Sequence, residues 1–216
     1  MSKIAVLDYG TSNLRSVAKA LEFVAGSQHK ILVTDQAQEI LAADRIVFPG
    51  QGAVGQCMQS LNESGLDKVI KECINNKPFL GICLGLQSLM QESDEDGGVK
   101  GLGIVPGKVI RFPDNVKDEH GDVCKIPHMG WNRVNQQKSH PLWKDIEDGA
   151  RFYFVHSYYV QVENDEDCAA KTNYATEFTS AVTRDNIFAT QFHPEKSQHA
   201  GLTLLKNFLS WDGGDS

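Results

Sequence analysis

The stretch Phe79-Leu80-Gly81-Ile82-Cys83-Leu84-Gly85-Leu86-Gln87 leaves this chain little freedom in how it folds. Phe79 to Ile82 reads as a buried strand, and from Leu84 to Met90 the apolar positions take helical spacing. One residue therefore carries the change of period. A turn that sharp brings the flanking backbones together, and a glycine two residues to either side of Cys83 removes side chains that would collide. The sulfur is then held above the carboxyl end of a strand and at the amino end of a helix, where the helix dipole favours thiolate. A buried structural cysteine in an ordinary strand–helix turn is the plainer alternative. A base elsewhere in the chain would decide between them.

The segments before the turn set its surroundings. Ile4 to Leu7, Lys30 to Val33 and Arg45 to Phe48 are short apolar runs. Leu14, Val17, Leu21 and Val24 recur at helical spacing after the N-cap candidates Thr11, Ser12 and Asn13, and Gly26 stops that helix. Further helical stretches are expected over Ala37 to Leu41, from near Ala53, and over Leu66 to Ile74. Strand–helix–strand at this spacing predicts parallel pairing in a doubly wound sheet, whose chemistry lies outside the carboxyl ends of the strands. There the third strand ends in Pro49-Gly50-Gln51-Gly52, where two glycines let backbone N–H groups approach an anion. A plain turn is the competing reading of that segment.

The later half changes character. Asp94-Glu95-Asp96-Gly97-Gly98 reads as a solvated connector, since it lacks the ligand spacing of a calcium loop. Val105 to Phe112, Trp131 to Val134, Arg151 to Val162, Ala169 to Tyr174, Ser180 to Thr183 and Ile187 to Gln191 are strand-like, Pro113 to Val123 is loop-like, and one helix closes the chain around Leu202, Leu205 and Leu209. The predicted fold is α/β: a doubly wound, largely parallel central sheet with an antiparallel-rich second half, in one domain over residues 1–216. A net charge of −7 argues against nucleic acid as a partner. No apolar run is long enough to span a membrane, and no signal peptide precedes the strand starting at Lys3. Five cysteines without a Cys-x-x-Cys pair predict neither a disulfide framework nor a zinc knuckle, and suit the cytoplasm. No metal or cofactor is expected.

The base is supplied by Gln191-Phe192-His193-Pro194-Glu195. Proline keeps the chain extended at His193, and in extended chain side chains two apart share a side, so Glu195 can lie beside His193. Sulfur, imidazole and carboxylate make a nucleophile–base–orienter relay. His29, His120, His128, His140, His156 and His199 lack that combination of strand, proline and carboxylate.

These segments, in this order, resemble the class I (triad-type) glutamine amidotransferases, whose fold is flavodoxin-like. Pro127-His128-Met129-Gly130-Trp131-Asn132, Tyr153 to Tyr159 and Gln191 to Ser197 make the chain similar to the glutaminase subunits of imidazole glycerol phosphate synthases. The resemblance runs from Ile4 to Leu209. It implies Cys83 as nucleophile, His193 as general base and acid, and Glu195 as its orienter, acting on L-glutamine through a thioester. It further implies an oxyanion site at Gly50, Gln51, Gly52 and Leu84, and glutamine contacts at Gly52, Gln87, Ser157 and Tyr158. Trp131 and Tyr153 are implied at the interface with a (β/α)8-barrel cyclase, which in a heterodimer receives the ammonia for histidine biosynthesis. A paralogous glutaminase feeding another synthase and a related cysteine hydrolase are the alternatives.

Overall fold

The computed structural model describes residues 1–10, 14–116 and 121–214. The cap candidates Thr11, Ser12 and Asn13, the residue His120 and the middle of the 113–123 loop fall outside that set. In chain order the elements are β1 (Ser2–Leu7), α1 (Leu14–Ala25), β2 (His29–Thr34), α2 (Ala37–Leu41), β3 (Arg45–Gly50), α3 (Val54–Ser64), α4 (Leu66–Ile74), β4 (Phe79–Cys83), α5 (Leu84–Leu89), β5 (Met90–Ser93), β6 (Val99–Lys100) and β7 (Val105–Arg111). They continue with β8 (His128–Arg133), β9 (Asn135–Gln136), β10 (Arg151–His156), β11 (Tyr158–Val162), β12 (Cys168–Tyr174), β13 (Thr176–Arg184), β14 (Ile187–Thr190) and α6 (Gln198–Ser210).

The large sheet runs β2-β1-β3-β4-β14-β13-β11-β7-β5-β6, with β12 paired to β13 and β9 paired to β12. Its first five strands pair in parallel. From β14 to β13, from β13 to β11 and from β11 to β7 the pairing is antiparallel, as the alternating second half predicts. Both faces of the parallel part are covered. Ile4 and Val6 of β1 join the core under α1 and α6, through Val17, Leu21, Leu204 and Phe208. Ala5 and Leu7, pointing the other way, join Val54, Leu61 and Ile70 of α3 and α4. Burial on both faces is why these strands read as apolar runs, while β7, β8 and β10 alternate between buried and more exposed positions.

Two expectations are corrected. The helix after the cysteine stops at Leu89, because Met90 turns extended (φ −68°, ψ 168°) and begins β5 alongside β7. Arg151 to Val162 is two strands: among the described residues β10 pairs only with β8, in a separate two-stranded sheet, while β11 pairs with β7 and β13. The break lies between His156 and Tyr158 and places Ser157 on the wall of the cavity described next.

Candidate active site

Cys83 ends β4 with φ 54° and ψ −104°, outside the regions a side-chain-bearing residue normally adopts. The surrounding glycines make this geometry possible. A Cβ on Gly85 would land on the carbonyl oxygen of Phe48, and one on Gly81 would lie 2.9 Å from Cβ of Ala189 and 3.2 Å from the Gly85 backbone. Parallel pairing of β3 with β4 sets Gly50 opposite Cys83 in register. The Pro49–Gly52 segment is thereby brought beside the sulfur, with Gly52 at φ +102°. A Cβ on Gly50 would collide with the hydroxyl of Tyr9, which donates to the Pro49 carbonyl at 3.0 Å and packs edge-on against Phe48.

A cavity of about 330 Å³ opens over the sulfur, lined by Gln51, Gly52, Cys83, Leu84, Gln87, Glu95, Pro127, Val155 to Tyr158 and His193. Gly52, Gln87, Ser157 and Tyr158, the expected glutamine contacts, therefore all meet there, as do Gln51 and Leu84. Gln51, Gly52 and Leu84 also line a second cavity, of about 350 Å³, with Tyr9, Gln56, Cys57 and Ser60. The Gln51–Gly52 segment is thus a partition between two spaces.

His193 follows β14 and is almost wholly buried, with extended backbone (φ −101°, ψ 97°). Its Nδ1 lies 2.8 Å from Oε1 of Glu195, whose carboxylate is sealed from solvent. Here the geometry differs from the sequence expectation. Pro194 to Lys196 form a 3-10 turn, with Lys196 N–H donating to the His193 carbonyl. That turn folds the carboxylate back onto the imidazole; a continuing strand is not what aligns them. Nε2 has no hydrogen-bond partner among the described residues, and His193 lines the same cavity as Cys83, with which it interacts electrostatically. Burial, the largest influence, pulls the His193 pKa down, but the charge and hydrogen bonding of Cys83 and Glu195 together raise it to about 10. The arrangement favours the charged, imidazolium form of His193.

Four groups around this site were missed or misread in the sequence. Glu95 is no solvated connector. Its Oε2 accepts the Val54 N–H at 2.7 Å, capping α3, and the residue lines the cavity, with burial raising its pKa. Gln191 is fully buried and donates Nε2 to the Cys83 sulfur at 3.6 Å. His156 also lines the cavity; its Nε2 is 3.0 Å from Nδ1 of His128, and burial lowers their pKa values to about 3 and about 4. Ser197 ties the base to its neighbours: its hydroxyl donates to the His193 carbonyl at 2.6 Å and accepts from Tyr153 N–H at 2.9 Å.

The outer face of the two-stranded sheet carries the expected contact residues. Trp131 and Tyr153 are register partners with rings 6.1 Å apart, edge to face, and Met129, two residues along β8, is 62% exposed. The ammonium of Lys196 stands 6.0 Å from the Tyr153 ring centre. His193 N–H donates to the Tyr153 carbonyl at 2.9 Å, so this face and the base share backbone hydrogen bonds. Among the described residues no cluster of three or more His, Cys, Asp or Glu side chains could hold a metal ion, and no helix is long and apolar enough to cross a membrane.

Glutamine amidotransferase class-I matches residues 5–211. The chain is 55% identical to the imidazole glycerol phosphate synthase subunit HisH of Nitrosococcus oceani over 99% of both chains. It is 55% identical to the corresponding subunit of Nitrosospira multiformis over 98% of this chain and 99% of that one. Among solved structures, the glutaminase domain of the Trypanosoma brucei CTPS superposes with a TM-score of 0.64 at 18% identity, over 100% of this chain and 98% of that one, a likeness of fold.

Proposed function

The chain belongs to the class-I glutamine amidotransferases, as a glutaminase subunit of imidazole glycerol phosphate synthase in histidine biosynthesis, and from that premise we propose how its residues divide the reaction. Cys83, as thiolate, attacks the side-chain carboxamide carbon of L-glutamine. The carbonyl oxygen takes the negative charge and is met by backbone N–H groups of the Gly50–Gly52 segment and of Leu84. His193, protonated at Nε2, gives its proton to the departing nitrogen, which leaves as ammonia, and a γ-glutamyl thioester remains on Cys83. The imidazole then takes a proton from water as that water attacks the thioester. The C–S bond breaks, glutamate leaves, and the thiolate–imidazolium pair is restored. Glu195 holds Nδ1–H throughout and offsets the imidazolium charge.

In the cavity, the Gln87 oxygen and the Ser157–Tyr158 backbone are suited to the amino-acid end of glutamine, and the Glu95 carboxylate complements its α-ammonium group. The observation that carries the reading is His193 held at Nδ1 by Glu195, with Nε2 unengaged by any hydrogen bond among the described residues in the cavity that Cys83 also lines. The Trp131–Tyr153 face, extended by Met129, receives the cyclase subunit, a (β/α)8 barrel into which the ammonia passes. One amidotransferase domain over the whole chain, working in the cytoplasm, fits five free cysteines.

A glutamine-mimicking electrophile tests the assignment. It is expected to label Cys83 alone, with excess glutamine protecting. Glutamate release is expected to rise when the cyclase and its nucleotide ligand are added. Labelling that glutamine does not slow would overturn the assignment, as would turnover indifferent to the cyclase.

A further inference from the structure

Gln191 sits two residues before His193 on the strand side, wholly buried, and its carboxamide faces the sulfur. Which end of a carboxamide faces a neighbour is decided by its other partners, and here they leave one answer. Gln191 Oε1 lies 3.1 Å from Nε2 of Gln87, and the same Nε2 lies 2.9 Å from the Tyr158 carbonyl oxygen. A backbone carbonyl only accepts, so Gln87 must present its NH2 group there. Its second N–H then goes to Oε1 of Gln191, which turns Nε2 of Gln191 to Cys83 at 3.6 Å, within reach of a sulfur acceptor.

The carbonyl that settles this is itself held. His156 Nδ1 lies 2.7 Å from the same Tyr158 oxygen and must carry its proton there. His156 Nε2 then accepts from His128 Nδ1, and His128 Nε2 accepts from Asn132 Nδ2 at 3.3 Å. Flipping Gln191 would set two donors against each other, and flipping Gln87 to relieve that would set two acceptors together. Each clash would leave buried polar groups unsatisfied.

We propose that Gln191 is a further catalytic residue, donating its amide N–H to the Cys83 sulfur and so favouring the anionic form, with its orientation fixed through Gln87 by the Tyr158 carbonyl. The proposal rests on Cys83 being the nucleophile. A hydrogen bond to the charged form stabilises it. The bond acts when the sulfur attacks and again when it leaves the thioester, and it approaches from a residue other than the base.

The test is the pH dependence of Cys83 alkylation by iodoacetamide, a neutral probe, together with glutamine turnover in the complex with the cyclase. In Gln191→Leu the alkylation midpoint is expected to move up by about one pH unit. Turnover is expected to fall about tenfold, with KM for glutamine little changed. In Gln191→Glu, which keeps the shape but sets an acceptor against the sulfur, the midpoint is expected to move further. That variant carries the test if the leucine variant fails to fold, as judged by near-ultraviolet circular dichroism and cyclase binding. The other ionisable groups around the sulfur are His193, with Glu195 behind it, and Glu95, His156 and Tyr158 on the cavity wall; all are unchanged in these variants. An unmoved midpoint in a folded variant would overturn the role of Gln191. Failure of glutamine to protect Cys83 in the unaltered protein would instead overturn the nucleophile assignment.

Discussion

Replacing Glu195 by glutamine keeps the size of the side chain and removes its charge. The bond it alters is 2.8 Å long, between side chains that are 1% and 0% exposed, so water cannot take over the lost role. A buried hydrogen bond to a charged group contributes roughly 1.5–3 kcal/mol. If it is realised mainly when the imidazolium forms, kcat should fall by about 10- to 150-fold. The substitution also withdraws one of the supports that raise the His193 pKa to about 10. A folded pKa above the ordinary 6.5 means that the ion pair contributes stability fully present below pH 6.5 and lost as pH rises through about 10. In Glu195→Gln the contribution should be smaller and its loss complete at lower pH. The assays are glutamate release by the assembled complex between pH about 6 and about 9, the range in which an imidazole base is normally profiled, and thermal unfolding of the chain over the alkaline range. Unchanged kcat with intact cyclase binding would refute the orienting role of Glu195, as would an alkaline stability profile identical to that of the unaltered protein.

Other consequences are as direct. Cys83→Ala is expected to abolish glutamate production while cyclase binding survives, and ammonia supplied directly should sustain the partner's reaction; both are read by coupled assay. Gly85→Ala places a methyl group on the Phe48 carbonyl oxygen, and an overpacking cost of about 3 kcal/mol is expected in urea unfolding. Tyr9→Phe keeps the edge-on ring contact with Phe48 but removes the bond to Pro49, costing about 1 kcal/mol by the same measurement. The His128–His156 pair is held neutral, with folded pKa values of about 4 and about 3 against an ordinary 6.5. The stability it contributes is therefore present above pH 6.5 and lost as pH falls below it, by up to about 1.4 kcal/mol per pH unit for each ring. His128→Phe, which can retain the stacking on Tyr174 and Phe154, should flatten that acid slope.

What could be read from the residues was local. Gly81, Cys83 and Gly85 lie within five positions, and His193 and Glu195 within three, so the steric demand of the turn and the relay are written in short words. The 3-10 turn at Pro194 reached the same pairing by a different backbone from the one expected. The oxyanion segment was one step harder, because setting Gly50 beside Cys83 requires the β3–β4 register, which parallel α/β topology suggested. Glu95, Gln191 and the histidine pair were out of reach. Glu95 gains its meaning from a helix start 41 residues earlier, and Gln191 from partners 104 and 108 residues away. His128 and His156 meet only because β8 and β10 pair in antiparallel register. Charge runs and isolated polar residues carry no local mark of such meetings.

The backbone of Cys83 gives the protein a built-in gauge of its own integrity. At φ 54° and ψ −104° the cysteine occupies a conformation that a free peptide almost never visits, and its hydrogen-bond partners arrive from far along the chain. Its distinctive reactivity therefore belongs to the assembled tertiary structure and should vanish when the β3–β4–β14 junction loosens, even if the rest of the sheet persists. An electrophile that reports this one sulfur counts competent molecules in a preparation, where circular dichroism counts only folded ones.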